Sequence, residues 1–468
     1  MKSYKRIFLF CTLLVVFTGI FVPPGAEGIS IEKEKELSRE FLSVVFRHYN
    51  VIDTVIVVNY INDLGQKILS AFPSQPFEYR FYVIKDDSLN AFAGPAGHIF
   101  VNTGLIRAME SEEELAGVIS HEIAHASLRH ISKRIEQSKK TNLATLAGMA
   151  AGVLLGIGGA GDAAGAVIVG SAAAGQTVSL AYSREDEAEA DQVGLKYLNL
   201  AGYDAKGLLV VMEKMRGKEW FDSSIIPTYM RTHPGPEERM VNIDNWIASH
   251  EQVQTNFDPY PFQRTRTWLV ASYGDIQADL TQFQTDIAQQ GKNSLAHFGY
   301  SLILARTDNY DDAISQMKKA LEINALEPYF IIELGRIYFT AGRYPEALDI
   351  LVSLEIMARD HPRRLFYLGR TQMEMKKYQD AIYAFEKAIG LYPKYTSVYQ
   401  YLGVSYGKLD KLSYAHYYLG IYNKRISKLK TAELHLQKAL ATMNDLEKRD
   451  EIKKMLDEIG IKKVQSRH

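Results

Sequence analysis

The chain has 468 residues, of which 47% are hydrophobic and 23% charged, and its 54 basic and 55 acidic side chains leave a net charge of −1. At about 100–200 residues per domain this length holds several domains, each able to bury a core. The near-neutral balance argues against a nucleic-acid binder, and the 11% aromatic content argues against disorder. A single cysteine excludes an intramolecular disulfide and any metal site built on several thiolates, so a metal would be held mainly by nitrogen and oxygen.

Residues 1–28 read as an export signal. Lys2, Lys5 and Arg6 form its positive end and Ile7 to Val22 its apolar core. Pro23-Pro24-Gly25-Ala26 then breaks the helix, with cleavage expected after Ala26 or Gly28. The apolar run falls just short of the about 20 residues that span a bilayer, so a retained anchor is the alternative. Removal of the signal takes Cys11 with it and leaves a mature chain suited to an oxidising compartment, the bacterial periplasm, possible peripheral contact with the outer membrane included.

Residues 29–260 are expected to form an α+β domain with a small sheet. Helical stripes run from Ile29 to about Phe72, through Leu37, Phe41, Val44 and Val45 and then Ile56, Tyr60, Leu64 and Ile68. Phe77 to Lys85 alternates as a strand does, and a Gly-Pro-Ala-Gly turn at 94–97 leads into a second strand from His98 to Val101. Ser111 with Glu114 reads as a capping box that opens a long helix. Residues 147–175 are almost wholly Gly, Ala and aliphatic, with Gly148, Gly152 and Gly156 on one face. Two readings stay open there: a small-residue hairpin packed on the domain, or peripheral membrane contact.

Residues 261–292 read as a connecting segment, with one helix from Trp268 to Gln289. A repeat follows over 293–445. Ser301, Gly335, Gly369 and Gly403 lie 34 residues apart, and Ala313, Ala347, Ala381 and Ala415 keep the same spacing. This period with paired small residues is that of the tetratricopeptide repeat, a mainly α solenoid. Leu419-Gly420 with Ala432 and Ala439 suggests a further partial unit, and 446–468 reads as a charged tail or solvated helix.

The chemistry sits at His121-Glu122-Ile123-Ala124-His125. Residues four apart share one helical face, so both imidazoles can reach one ion. A zinc ion with three protein ligands and one open position lowers the pKa of a bound water to about 7, and Glu122 on the adjacent arc can take that water's proton as general base. The third ligand is expected from the acidic run Ser183 to Asp191. Glu187 and Asp191 share a face, which makes Glu187 an economical ligand and Asp191 the group that orients an imidazole. Glu185, Asp186 and Glu189 take the blander reading of a solvated helix end, and His98 and His130 a structural one.

The His-Glu-x-x-His motif followed by Glu187-Ala188-Glu189-Ala190-Asp191 resembles the HtpX and CAAX-prenyl-endopeptidase family of zinc metallopeptidases. So do Asn90-Ala91-Phe92-Ala93 with the following chain to Val101, which resemble the family's substrate edge strand, and Thr232-His233-Pro234 with Arg239. The resemblance covers about residues 30–250. It implies one zinc ion per chain on His121, His125 and Glu187, with Glu122 as base. His233 is either a structural histidine or, by the resemblance, a fourth ligand or regulator of the site. With an export signal ahead and repeats behind, the chain resembles the family's β-barrel assembly-enhancing, BepA-like branch. That likeness implies a periplasmic protease and chaperone whose substrates are unfolded or misassembled outer-membrane proteins and whose repeats meet the β-barrel assembly machinery. A non-proteolytic scaffold with a regulatory zinc, or a membrane-anchored quality-control protease, are the alternatives.

Overall fold

The computed structural model describes residues 29–137, 182–216, 228–251, 253 and 257–465. The signal-like residues 1–28 and the Gly/Ala-rich 147–175 lie outside them. No helix among the described residues is long and apolar enough to cross a membrane.

The first helical stretch is two helices. Helix α1 (Ile31–His48) starts at Ser30, whose side chain accepts the Lys33 amide at 3.2 Å, and it buries Leu37, Phe41 and Val45. Helix α2 (Val55–Leu69) buries Ile56, Tyr60, Leu64 and Ile68. The sheet has three strands, β1 (Arg80–Ile84), β2 (Ala91–Gly94) and β3 (His98–Asn102), in the order β1-β3-β2. Strand β3 runs parallel to β1 and antiparallel to β2. The stretch expected as one edge strand from Asn90 to Val101 is therefore two strands. Of these two, β2 lies at an edge and β3 in the centre, because the turn at Ala96 and Gly97, both at positive φ, folds the chain back between β1 and β2.

Helix α3 (Thr103–Ala108) leads to α4 (Glu112–Ser127), the axis of the domain. The expected capping box is half formed. Ser111 Oγ accepts the Glu114 amide at 3.4 Å, but the Glu114 carboxylate reaches back to the Glu110 amide and pairs with Lys214. Helices α5 (His130–Gln137), α6 (Arg184–Leu200), α7 (Lys206–Arg216), α8 (Thr228–Thr232) and α9 (Pro236–Ser249) surround it. Two glycines set the crossings. A Cβ on Gly194 of α6 would lie 3.3 Å from the His121 backbone, and one on Gly117 of α4 would lie 2.7 Å from the Leu208 amide of α7. Ser120 Oγ seals the first crossing by donating to the Gly194 carbonyl at 2.8 Å.

The expected single connecting helix is two helices, α10 (Tyr260–Tyr273) and α11 (Ile276–Gln289). They break at Gly274-Asp275, where the Asp275 side chain caps α11 by accepting the Ala278 amide. Helix α10 is no loose linker. Its Phe262 ring lies 6.2 Å from that of Tyr60, and Arg107 donates to the Tyr273 carbonyl at 2.7 Å. One hydrophobic core runs from α2 through Phe262 and Leu269 to Phe298 and Phe330 of the repeats, so the change of composition at residue 261 is not a break in packing.

The repeat pairs are α12 (Ser294–Arg306) with α13 (Tyr310–Ile323), α14 (Pro328–Thr340) with α15 (Tyr344–Ser353), α16 (Pro362–Glu374) with α17 (Tyr378–Leu391), and α18 (Thr396–Lys408) with α19 (Leu412–Arg425). Ala313, Ala347 and Ala381 are wholly buried, and Gly335, Gly369 and Gly403 each face a large side chain of the partner helix. Helix α20 (Leu429–Thr442) continues the pattern, with Gly420 against Leu436. The segment expected as a charged tail is helical over Leu446–Gln465 (α21) and buries Ile452 and Ile459, one apolar face being enough to dock a charged helix.

Candidate metal centre

Helices α4 and α6 and the short α8–α9 corner bring four donors together. One ligand atom from each of His121, His125, Glu187 and His233 lies within 4.8 Å of the others, and all four residues are buried. His121 Nε2 and His125 Nε2 are 2.9 Å apart. The Glu187 carboxylate is 3.5 Å from His121 Nε2 and 3.4 Å from His125 Nε2, and His233 Nδ1 is 3.4 Å from His121 Nε2. A tetrahedron with ligand bonds of about 2.1 Å has edges of about 3.4 Å, so a divalent ion fits this donor set. Both Glu122 oxygens and His233 Nε2 are buried without a hydrogen-bond partner, and they face each other across 3.6 Å.

Around the donors the charges interlock. Asp191 Oδ1 lies 2.9 Å from His121 Nδ1, and Arg239 grips both Asp191 oxygens at 2.7 Å. The same guanidinium reaches Glu187 at 2.6 Å. Burial by itself raises the Glu187 carboxyl, but His233, Arg239 and the two ring contacts hold it well below the usual carboxylate range. Asp191 behaves alike: burial raises it, and Arg239 and His121 bring it down to about 2. Glu122 has no such cation in contact, so burial dominates and its carboxyl is raised.

Several participants carried no signal in the motif. Tyr182 stacks on His125 with ring centroids 3.8 Å apart, and Tyr229 stacks on His233 at 4.2 Å. His130, read as merely structural, places Nδ1 2.9 Å from His125 Nδ1. Asp186 and Glu189 are not solvated helix-end charges. Asp186 completes a capping box with Ser183 and pairs with Arg134 at 2.7 Å, and Glu189 lies 3.1 Å from His130 Nε2. Their meaning depends on α5, which returns to α6 only in the folded chain. His98 stays apart, 3.3 Å from the Tyr82 hydroxyl.

Strand β2 is at the sheet edge with its side chains buried. Ala91 and Phe92 are 0% exposed and Ala93 2%, and the Tyr229 amide donates to the Leu89 carbonyl next to the buried Asn90.

Residues 59–247 match Peptidase family M48, and 304–365 and 362–395 match tetratricopeptide repeats. The metalloprotease LoiP of Escherichia coli (strain K12) is 31% identical over 195 residues, 40% of this chain and 68% of LoiP. The chain belongs to peptidase family M48. Two further members are similar over a longer stretch. The putative β-barrel assembly-enhancing protease of Vibrio cholerae is 29% identical over 253 residues, 54% of this chain and 51% of that protein. The β-barrel assembly-enhancing protease of E. coli (strain K12) is 27% identical over 306 residues, 64% of this chain and 61% of that protein. The chain thus spans between half and two thirds of the length of these two M48 proteins.

Proposed function

We propose that this chain is a zinc-dependent endopeptidase of the periplasm that acts on outer-membrane β-barrel proteins, with its repeats engaging the assembly machinery. The observation that carries the reading is the buried His121–His125–Glu187 donor set beside a Glu122 carboxylate that makes no hydrogen bond. His121, His125 and Glu187 would hold one zinc ion, which supplies Lewis acidity and a bound water of pKa about 7. Glu122 takes a proton from the attacking water and returns it to the leaving amine. Asp191, clamped by Arg239, fixes the ring of His121 and is a positioning residue. A scaffold with a merely regulatory ion gives no reason to bury a carboxylate unpaired, a position costing several kcal/mol of ionisation penalty.

His233 lies among the donors, and the Tyr229 amide of the same α8 bonds the Leu89 carbonyl just ahead of β2, which favours a resting state closed by His233 as fourth donor. Substrate would pair with β2 along Asn90–Ala93 once that corner moves, through backbone hydrogen bonds that tolerate many sequences. Client choice then falls to the repeats, which offer a surface apart from the metal centre.

The test is zinc content together with cleavage of an unfolded β-barrel protein. Glu122→Gln should keep zinc and lose about 10²-fold or more in turnover. Undiminished cleavage would remove Glu122 as the base. His233→Ala should raise cleavage of the same substrate, and a fall instead would make His233 part of the working site.

A further inference from the structure

His125 and His130 are five residues apart, and on an unbroken helix their side chains would point about 140° away from each other. The rings meet because the helix does break. Helix α4 ends at Ser127, Arg129 takes a left-handed φ of 57°, and α5 begins at His130. Such a conformation is unfavourable for a non-glycine residue and persists where surroundings enforce it. Here Glu34 of α1, 2% exposed, accepts from Arg129 Nε at 2.7 Å, and the Arg129 guanidinium also bonds the Ile29 carbonyl. The other oxygen of Glu34 accepts the amide of Ala96, a second left-handed residue.

The chain of contacts assigns its own protons. Glu189 is a carboxylate and only accepts, so the hydrogen in the 3.1 Å contact sits on His130 Nε2. Neutral His130 then offers a lone pair at Nδ1, and the hydrogen in the 2.9 Å contact sits on His125 Nδ1. That leaves His125 Nε2 as a lone pair facing the donors. His121 achieves the same with a carboxylate placed directly on Nδ1, Asp191 at 2.9 Å. We propose that His130 and Glu189 form a positioning pair that fixes the tautomer and ring orientation of His125 and so sets the zinc affinity of the centre, with Glu34 and Arg129 holding the turn that makes the pair possible. The inference rests on the zinc reading above.

The test uses full-length protein and zinc competition against a chromophoric chelator. His130→Leu, which fills the space but accepts no hydrogen bond, should weaken zinc binding by about 10–100-fold. His130→Asn puts an acceptor oxygen near the place of Nδ1 and should recover most of the loss; simple packing predicts the reverse order. Glu189, 51% exposed at its side chain, can be removed without opening the core, and Glu189→Ala should bind several-fold more weakly as water takes its place. Nitrogen-15 spectra of zinc-loaded wild type should show the hydrogen of His125 on Nδ1. Wild-type affinity in Glu189→Ala, Leu outperforming Asn at position 130, or His125 Nδ1 without hydrogen would each overturn the pair. A wild type that binds no zinc would instead remove the reading beneath it, and this inference with it.

Discussion

In the metal centre the most deeply buried side chains are charged or ionisable, whereas in the repeats they are mostly apolar, alanines at fixed intervals among them. His121, Glu122 and Glu187 are 0% exposed, and so are Ala313, Ala347 and Ala381. The two kinds of burial fail differently. Each repeat leans on its neighbours through the same small-residue contact, so damage stays local. In the centre Arg239 serves both Asp191 and Glu187, and Asp191 serves His121, so one missing partner strands several charges. The repeats bury a few charges too: Glu333 of α14 is paired with Arg336 and Arg363, and another sits where the pattern lapses. Helix α15 stops at Ser353, well short of the length of α13 and α17, and the 1% exposed Arg364 donates to the Leu351 and Arg359 carbonyls left behind.

Removing Arg239 should break the centre hardest. Arg239→Met leaves two buried carboxylates with histidine contacts alone and should cost about 3–5 kcal/mol in chelator-treated protein, read by urea unfolding. A loss under about 1 kcal/mol would show that the carboxylates find other partners and that the centre is not interlocked.

Acid sharpens the same point. With a folded pKa of about 2 against 3.8, Asp191 contributes stability that is complete above about pH 4 and is lost as the pH falls towards 2. In chelator-treated protein the stability difference between wild type and Asp191→Asn should therefore shrink by about 2 kcal/mol over that interval. A difference that stays flat would mean that Asp191 is not held ionised by Arg239.

The repeats offer a paired measurement. A Cβ on Gly369 would lie 2.6 Å from the Phe385 ring, so Gly369→Ala should cost about 1–3 kcal/mol. Gly390, near the end of α17, has nothing within 4 Å of such a Cβ, and Gly390→Ala should gain about 0.5–1 kcal/mol in thermal unfolding. Equal effects at the two sites would deny that the 34-residue small positions are set by helix contact.

What the sequence determined by itself is whatever short-range spacing controls. His121, Glu122 and His125 share a helix, Glu187 and Asp191 share another, and four units repeat in phase, because helical geometry converts spacing into facing without knowledge of the rest of the chain. Tertiary structure decided the remainder. Glu189 became a partner of His130 across 59 residues, Arg239 a clamp on Asp191 across 48, and Tyr182 a lid on the ring of His125. Strand β2 was legible as an edge, but the bond from Tyr229, far along the chain, to Leu89 just ahead of it was not. Nothing local distinguishes Glu189 from the solvated Glu185 in the same helical turn region; only the left-handed residue at Arg129, held by Glu34 from the first helix, turns His130 towards it. Contacts between elements distant in sequence are set by how whole helices cross, and the crossing at Gly194 is fixed by close packing against His121 rather than by any pattern within either helix.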